Sequence, residues 1–599
     1  MVQPPNTIIG ADDMKRPWVL VVALFAAAFA FSSAQAQAAG KAAAAPGKAA
    51  VETAAKKDGV LPEKEVFGKY AFPAAPVKDR PTDQPVDPNV CFACHTEVKE
   101  LREGSKHAVN NCVVCHDQTA GHLNDKEKKV KPVTRLGQET CGRCHADQYL
   151  SMNASNLHRL VRSDKSLPTE RSPNPLWEKL MMGHGFTKEH SGTRSHAFGL
   201  IDQFLADRAF GGRFQPKIGW EYVTLQGPVK AWDVMYDTSP DVKEQKAFLA
   251  ETATAANPTC MQCKTQDQIL TWKYLGDKDP RAKWDRTSNV LEFVKDLNNA
   301  INCFICHDPH AAKPRIVRDA MIQALTRPEK DTLWHKTPDA TKFKVVNFRN
   351  GYRKIAILER YDSVLQCGQC HVEYNCNPGF DIKTGELSIR AADPRTNHYP
   401  LKDITEIYDH YNALGFRDWR HTLSGALLLK LQHPELETYW GSTHHNLGIG
   451  CTACHNPKVQ NAKGKVYTSH WSASPKTALK GTCLTAECHP SLTEDQATYR
   501  IESVRNYFKA RMRKAEFWLA MLIDEIAQAR NAGVADNVIK AAQTQHDKAH
   551  ILWEWWTAEN SDGFHNPQQA RESLTRSIVE SKKGIQIIGE AMGKKAIAK

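Results

Sequence analysis

CFACH at residues 91–95, CVVCH at 112–116 and CGRCH at 141–145 repeat one five-residue pattern within a short stretch of the chain. The sequence of 599 residues contains 17 cysteines, and all but one form eight spaced pairs. In seven pairs a histidine directly follows the second cysteine, which is the attachment pattern of c-type haem. Zinc sites also use paired cysteines, but they do not require a histidine after each pair. The pattern therefore favours a multihaem cytochrome over a zinc protein.

Eight haem c groups are predicted in all. Their attachment cysteines are Cys91 and Cys94, Cys112 and Cys115, Cys141 and Cys144, Cys260 and Cys263, Cys303 and Cys306, Cys367 and Cys370, Cys451 and Cys454, and Cys483 and Cys488. The residue after each pair is expected to bind iron on one face, which gives His95, His116, His145, Lys264, His307, His371, His455 and His489. The last motif, CLTAECH, has four residues between its cysteines, so a haem attached by one bond or by none is the alternative there.

The other face of each iron decides its role. A second histidine closes the iron for electron transfer, whereas an open face lets a substrate bind. Seven ordinary haems would need seven second histidines from outside the motifs. The candidates are His107, His122, His158, His184, His190, His196, His310, His335, His398, His421, His444, His445, His470 and His565.

CMQCK at residues 260–264 differs from the other motifs, because Lys264 stands where they carry histidine. A lysine amine binds iron only in its deprotonated form, which a bound metal favours. From these residues alone, two other interpretations stay open: a haem site that has lost its histidine, and a cysteine pair with redox activity of its own. If Lys264 does bind iron, this haem is the one that differs chemically from the other seven.

The N-terminal segment predicts export. Met14 to Arg16 are followed by an apolar run at 18–31 and by small residues, as in a cleaved signal peptide. We assign residues 1–38 to this signal peptide and expect translation to start at Met14. Export agrees with haem attachment, so the periplasm is the expected location. The formal net charge of +12 leaves out about sixteen haem propionates, so it does not argue for a nucleic acid, and we expect none as a partner.

The spacing of the motifs predicts the organisation of the chain. We expect a mobile linker at 39–80, a three-haem domain at 81–179, a five-haem catalytic domain at 180–490 and a helical region at 491–599. The predicted fold class is mainly α, with a haem-packed core, few short strands and long C-terminal helices.

The C-terminal region shows helical periodicity. Helices are predicted at 492–532, 537–559 and 567–589, with Gly533 as the first stop. This apolar face either covers the haem domain or packs against a second subunit. Its members are Phe508, Met512, Phe517, Leu519, Met521, Leu522 and Ile526.

Several segments resemble the cytochrome c nitrite reductases that form ammonium. CMQCK is similar to that family's active-site attachment motif, and CGQCHVEY at 367–374 and KLQHP at 430–434 resemble two further segments. CTACHNPKVQNAKGKVYTSH at 451–470 is similar to the region of a later haem. GHGF at 183–186, RSH at 194–196, ENS at 559–561 and GFHNP at 563–567 complete the resemblance in the same order.

The three additional motifs near the N-terminus make the chain resemble the octahaem branch of that family. Cys376 is the only cysteine outside the eight pairs, and it stands two residues after Tyr374. The resemblance implies a covalent thioether between these two residues. An unmodified buried thiol is the alternative.

The resemblance also implies roles for four residues of the active site. Lys264 would bind the catalytic iron, Arg208 would hold the anion, His433 would protonate the bound oxygen atoms, and Tyr374 would complete the pocket. These types suit the chemistry, because a guanidinium keeps its charge and a histidine titrates near neutral pH. A calcium ion is implied beside the pocket, bound by the side chains of Glu373 and Gln432 and the carbonyls of Tyr374 and Lys430.

Second iron ligands follow from the same resemblance for four haems. They are His196 for the haem at Cys367, His470 for that at Cys303, His565 for that at Cys451, and His444, next to the similar His445, for that at Cys483. For the first three haems we expect His107, His122 and His158.

The function implied is the six-electron reduction of nitrite to ammonium, with hydroxylamine as a further substrate. A hydroxylamine- or hydrazine-oxidising octahaem enzyme is an alternative, although those enzymes attach their active haem through CxxCH. A tetrathionate reductase and an electron conduit with every iron closed are the others. Expected partners are nitrite, a periplasmic or membrane-linked electron donor, and further copies of the chain in dimers, trimers or a hexamer.

Overall fold

Helices make up most of the regular structure, which confirms the mainly α class. The computed structural model describes residues 59–68, 70–72, 75–76, 83–156, 174–184, 196–200, 258–289, 292–293, 296–375 and 378–593. The predicted signal peptide, His158, Arg208 and Cys376 lie outside these ranges. No helix within them is both long and apolar enough to cross a membrane.

The helices fall into many short ones and three long ones. Single 3₁₀ turns also occur at Cys112–Val114, His196–Phe198, Tyr274–Gly276 and Pro475–Thr477. The α-helices of the described ranges, numbered α1 to α20, are Glu63–Phe67, Pro88–Phe92, Thr96–Arg102, Thr119–Asn124, Gln138–Gly142, Ala146–Met152, Trp177–Leu180, Pro258–Met261, Gln268–Thr271, Cys303–Cys306, Asp319–Thr326, Ser363–Gly368, Ile407–Leu414, Glu435–Tyr439, Thr443–Asn446, Cys451–His455, Leu479–Thr482, Glu494–Asn531, Asp536–Ala558 and Pro567–Ala591.

The strands are short and form small sheets. Those of the described ranges, β1 to β15, are Val60–Pro62, Tyr70–Ala71, His116–Asp117, Val133–Thr134, Ser155–Asn156, Arg315–Ile316, Phe343–Phe348, Arg353–Leu358, Gly379–Asp381, Glu386–Ile389, Phe416–Arg417, Trp419–Arg420, Leu427–Leu428, Lys458–Gln460 and Val466–Thr468. The most regular sheet has the order β6-β8-β7, with β7 and β8 antiparallel from Phe343↔Leu358 to Phe348↔Arg353. Its hairpin turn uses positive φ at Arg349, Asn350 and Gly351, which glycine and asparagine tolerate best.

Short helices present the cysteine motifs. The side chain of Asn302 accepts a hydrogen bond from the first turn of α10, and Asp362 does the same for α12. Such N-caps satisfy amides that have no partner inside the helix. At the other end, the amides of His307 and His371 donate to the carbonyl of the first cysteine of their own motif at 2.9 Å. Each of these two motifs is therefore one closed turn that leaves its histidine at the end.

The C-terminal helices agree with the predicted ones within a few residues. α18 begins with a capping box between Thr493 and Gln496, and Gly533, at φ 72°, follows its end. Its apolar face packs with α19, α20 and buried residues from 177–181 and 389–431 in one core. The face therefore covers the preceding region of the same chain.

One predicted core position of α18 is wrong. Phe517 is 53% exposed and lies edge-on to Trp518, because it falls off the stripe formed by Phe508, Met512, Leu519 and Ile526.

The predicted three-haem and five-haem segments are in direct contact. The ring Nδ1 of His107 lies 2.8 Å from the carbonyl oxygen of Pro309, and Gln266 and Asn302 both donate to the carbonyl of Leu136. Residues 59–599 group into one unit by their mutual contacts. The domain boundaries themselves stay a prediction.

Candidate haem and active site

In the described part of the chain, each of the seven motif histidines has its ring paired with the ring of a histidine from outside the motifs. The ring centroids lie between 6.2 and 6.4 Å apart in every pair. A metal ion with an imidazole nitrogen at about 2 Å on each side would hold the ring centroids about 6 Å apart. The spacing therefore fits seven irons with two histidines each. The pairs are His95–His122, His116–His310, His145–His107, His307–His470, His371–His196, His455–His565 and His489–His444.

The outer nitrogen of many of these rings is occupied by the protein. Nδ1 lies 2.6 to 3.1 Å from an oxygen atom in six of them. This contact orients the ring and leaves Nε2 for a metal, as is usual for histidine ligands. The rings and their oxygen partners are His107 with Pro309, His116 with Thr134, His122 with Val130, His455 with Ala473, His470 with Thr468 and His565 with Glu559.

The structure brings together six of the seven predicted second ligands with motif histidines. His310 takes the position opposite His116, at 6.3 Å and with the rings nearly parallel. His158, which we expected for the first three haems, lies outside the described residues. His310 stands three residues after the motif histidine His307, and nothing in that spacing identifies it as the ligand of another motif.

His444 and His445 are adjacent in sequence, but the structure separates their roles. The ring of His444 lies 6.4 Å from that of His489. The ring of His445 instead packs on Trp440 at 4.8 Å and accepts a hydrogen bond from the Gly441 amide. His489 also donates its amide to the carbonyl of Cys483 at 3.0 Å, so CLTAECH closes a turn like the shorter motifs.

The lysine motif has its own backbone pattern. The amide of Lys264 donates to the carbonyl of Met261, whereas the motif histidines His307 and His371 donate to their first cysteine. The carbonyl of Lys264 accepts from Ile301 at 3.2 Å. Met261, Gln262 and Cys263 are buried. The backbone around Lys264 is therefore held by different hydrogen bonds from those around the motif histidines His307 and His371.

Cysteines of different motifs lie against one another. Four such pairs of cysteine side chains are close neighbours, and they join the first motif to the second, the third to the fifth, the fourth to the sixth, and the sixth to the seventh. The lysine motif is therefore connected to the rest through Cys370. The pairs are Cys91–Cys112, Cys141–Cys303, Cys263–Cys370 and Cys367–Cys451.

Two segments that resemble the nitrite reductase pocket meet at the sixth motif. The amide of Leu436 donates to the carbonyl of His371 at 3.0 Å. A Cβ atom on Gly368 would lie 1.9 Å from Leu436, so this close approach requires glycine. Burial opposes ionisation of Glu435, but His371 and His433 lower its pKa to about 2. Glu435 therefore lies within the electrostatic influence of both His371 and His433.

Tyr374 is buried beside the same motif. It is 6% exposed, and its ring centroid lies 5.8 Å from that of Tyr399. The hydroxyl of Tyr399 donates to the carbonyl of Gln369 inside CGQCH. Arg208 and Cys376, the other residues expected at this pocket, lie outside the described residues.

Glu373 has the surroundings expected of a cation ligand. It is 1% exposed, and it accepts hydrogen bonds from the Tyr411 hydroxyl at 2.9 Å and the Gln432 amide at 2.7 Å. Burial raises the pKa of Glu373 to about 8 and that of Asp418 to about 7. A divalent cation would offset this cost of buried negative charge.

Lys430 lies next to two buried carboxyl groups, those of Asp418 and Glu554. Its amide donates to Asp418 at 2.7 Å, and its ammonium lies 3.3 Å from the buried carboxylate of Glu554. The described residues contain no cluster of three or more His, Cys, Asp or Glu side chains that would hold a metal ion. The predicted donors, one carboxylate with amide and carbonyl oxygens, are nevertheless the type that calcium takes.

Cysteine motifs, paired rings and oriented Nδ1 atoms together define a multihaem c-type cytochrome. The chain belongs to the cytochrome c552 family, because residues 219–599 match the model of that family. The first three motifs lie before the matched region.

Known relatives include a nitrite reductase subunit and a cytochrome c-552. The chain is 30% identical over 436 residues to cytochrome c nitrite reductase subunit NrfA of Nitratidesulfovibrio vulgaris, a match that covers 70% of each protein. It is also 30% identical over 334 residues to cytochrome c-552 of Haemophilus influenzae, covering 53% of this chain and 56% of that one. The chain is thus similar to oxidoreductases of the cytochrome c nitrite reductase type.

A solved structure gives a further comparison. The catalytic subunit NrfA of the cytochrome c nitrite reductase from Desulfovibrio desulfuricans is 24% identical, with a TM-score of 0.49. The match covers 70% of this chain and 76% of that one.

Proposed function

We propose that this chain is an eight-haem nitrite reductase that forms ammonium at a haem bound by Lys264. The observation that carries the proposal is a contrast between motifs. Seven motif histidines each face a second histidine at 6.2–6.4 Å, whereas the eighth motif carries lysine as its ligand. Seven closed irons and one of different ligation suit a relay that serves one reactive site.

A haem held by Cys260, Cys263 and Lys264 would supply the iron for substrate binding, and the other haems would supply the electrons for the reduction. The protein residues supply charge and protons. Arg208 would attract the anion through a charge that does not titrate. His433 would donate protons repeatedly to the leaving oxygen atoms, because imidazole titrates near neutral pH. Tyr374, held against Tyr399, would form one wall of the pocket. Nitrite, six electrons and eight protons give one ammonium ion and two water molecules.

We also infer a calcium ion at Glu373 and Gln432, with the carbonyls of Tyr374 and Lys430. The support is the buried carboxylate of Glu373, whose pKa burial raises to about 8, in a site with oxygen donors. Calcium here would keep Glu373 ionised and connect the segments that carry Tyr374 and His433. Tyr374 and His433 would then keep fixed positions relative to each other.

The proposal also covers the location of the protein, its electron donor, a second substrate, a covalent crosslink and the oligomeric state. We place the protein in the periplasm, supplied by a periplasmic or membrane-linked donor, because of the predicted signal peptide. We propose hydroxylamine as a second substrate, a thioether between Tyr374 and Cys376, and an oligomer of identical chains. The seventeen-cysteine count, with one cysteine left over beside Tyr374, supports the thioether.

The test is nitrite reduction by the purified holoprotein with a reduced viologen dye. We expect six dye molecules oxidised and one ammonium formed per nitrite. His433→Gln should lower the rate at least about 100-fold, the usual cost of a lost general acid. His335→Gln is the matched control, since His335 contacts Thr332 and belongs to none of the ring pairs. Nitrite consumption without ammonium would overturn the proposal, and hydroxylamine oxidation alone would favour the oxidising alternative.

A further inference from the structure

One arginine connects the lysine motif to the neighbouring motif. Nη1 of Arg318 donates to the side-chain oxygen of Gln262 at 2.6 Å. The backbone amides of Val317 and Arg318 donate to the side-chain oxygen of Gln369 at 3.0 and 3.3 Å. Gln262 in CMQCK and Gln369 in CGQCH occupy the same place, directly before the second cysteine. Arg318 therefore holds both attachment loops by equivalent side chains.

The surroundings of Arg318 are fully buried and carry a net positive charge. Arg318 is 1% exposed, and Asp319 and Arg353 are 0% exposed. Nη1 of Arg318 donates to Asp319 at 2.8 Å, and the other oxygen of Asp319 accepts from Trp272. Burial opposes ionisation of Asp319, but the two guanidinium groups hold its pKa below the usual value. Two arginines and one aspartate thus leave one uncompensated positive charge.

This charge lies beside the sulfur atoms of two motifs. The Cys263 thiol is in contact with both Cys370 and the guanidinium of Arg318. Nε and Nη2 of Arg318 find no oxygen or nitrogen acceptor among the described residues, although both are buried. An attached haem would place a thioether sulfur and an electron-accepting ring next to the charge.

The same guanidinium lies near the predicted pocket. Its carbon atom is 5.3 Å from the centroid of the Tyr399 ring, and Tyr399 lies 5.8 Å from Tyr374. Asn397 accepts a further hydrogen bond from Nη1 at 3.0 Å. Arg318 is therefore fixed by contacts on several sides, and its charge has one position.

We propose that Arg318 is a positioning residue that joins the two attachment loops and raises the reduction potential of the haem at Cys260 and Cys263. The inference rests on the proposed function only in that a haem is attached to CMQCK. A positive charge in a buried site of low dielectric stabilises the form of the haem that holds one more electron.

Two substitutions of opposite sign test the charge. Arg318→Gln leaves Arg353 with Asp319 and removes the net charge, whereas Asp319→Asn raises it by one. In the full-length holoprotein, a stepwise titration with dithionite, followed through the absorption and electron paramagnetic resonance of the lysine-bound haem, gives its potential. We expect Arg318→Gln to lower the equilibrium constant for reduction about tenfold, which is about 59 mV for one electron. Asp319→Asn should raise it.

Arg318→Lys is the matched control, since it keeps the charge but loses the guanidinium nitrogen Nη1 that donates to Gln262 and Asn397. Its equilibrium constant for reduction should stay within about threefold of the wild-type value. If Arg318→Gln fails to mature, Asp319→Asn and Arg318→Lys still decide, because the first should raise the potential and the second should leave it close to the wild-type value. Equal potentials in all variants, or shifts of one sign, would overturn the inference.

Mass spectrometry of the peptide that contains residues 260–264 separates this outcome from a failure of the proposed function. A wild-type peptide without haem overturns both proposals. Haem on that peptide, with ammonium formed from nitrite and potentials that do not respond to Arg318→Gln and Asp319→Asn, overturns only the role of Arg318.

Discussion

The motif region and the C-terminal helices build their interiors in different ways. Between residues 83 and 489 the described helices have four to eight residues, and paired histidine rings stand 6.2–6.4 Å apart without touching. In α18, α19 and α20, helices of 38, 23 and 25 residues pack side chain against side chain. The first region is shaped around bound groups that complete its core, and the second completes its own. The haem attachment motifs therefore lie in the first region, and the long helix–helix packing lies in the second.

The largest loss of stability should come from the C-terminal core. Leu522 is fully buried and packs over Gly584, where even a Cβ atom would lie 2.6 Å from it. Leu522→Ala should lower the free energy of unfolding by about 2–5 kcal/mol, measured by chemical denaturation. Phe517→Ala, on the exposed face, should change it by less than about 0.5 kcal/mol. Both variants should keep the wild-type haem spectrum, and an altered spectrum would show that the two regions are not separate.

Acid should weaken the junction between the regions. His421 and His546 are fully buried where the loop before β13 meets α19. Burial lowers the pKa of His421 from 6.5 to about 4 and that of His546 well below its usual value. Below pH 6.5 the unfolded chain binds protons that the folded chain excludes, so stability falls as pH drops from 6.5 towards 4.

Between pH 6.5 and 5 the contribution of His421 amounts to about 2 kcal/mol. Unfolding curves at pH 7 and pH 5 measure the total. His546→Leu removes one of the two titrating groups and should make the protein less sensitive to acid. A variant whose stability falls as steeply as that of the wild type would contradict this assignment.

Removing one second ligand should change one haem and little else. His310→Ala removes the ring opposite His116 and should convert one haem from low-spin to high-spin, seen by electron paramagnetic resonance of the oxidised protein. The free energy of unfolding should fall by about 1 kcal/mol, a usual value for a single substitution. His158→Ala is the matched comparison and should leave the spectrum unchanged. The reverse result would assign His158 as the ligand.

The smallest effect should come from a helix end in the C-terminal region. The Thr493 side chain accepts a hydrogen bond from the Gln496 amide, and the Gln496 side chain accepts one from the Thr493 amide. Thr493→Ala should cost about 1 kcal/mol of stability, measured by denaturation, without any spectral change. Thr544→Ala, exposed within α19, should cost nothing. A loss that also releases haem would mean that α18 supports the motif region.

Sequence patterns predicted the structure of the two regions in different degrees of detail. Cysteine spacing identified every motif, since thioether attachment needs fixed neighbours. Helical periodicity identified α18 to α20 because their core is local in sequence, apart from Phe517, which the pattern placed inside. The pairing of His310 with His116 was not predictable, because the two residues are far apart in the chain and fourteen histidines compete for seven positions.

Other features of the site depend on the fold alone. Arg318 reads as an ordinary charged residue in the sequence, and only the structure shows it fully buried between Gln262 and Gln369. Four of the six oxygen partners of the Nδ1 atoms are backbone carbonyl groups, which any residue type supplies, so no sequence signal marks those four. Segment similarity predicted a pocket that includes Tyr374 and His433, and this pocket stays a prediction. The structure adds the close approach of Leu436 to Gly368, which brings the segment of His433 next to the sixth motif.

The central claim is that seven irons are closed by two histidines and one, at Lys264, is open. Counting haems by mass spectrometry and spin states by electron paramagnetic resonance on the same sample of oxidised holoprotein tests it most directly. The account predicts eight haems per chain, seven low-spin and one high-spin, with the high-spin signal responding to added nitrite. Eight low-spin haems, or no haem on the peptide of residues 260–264, would contradict it.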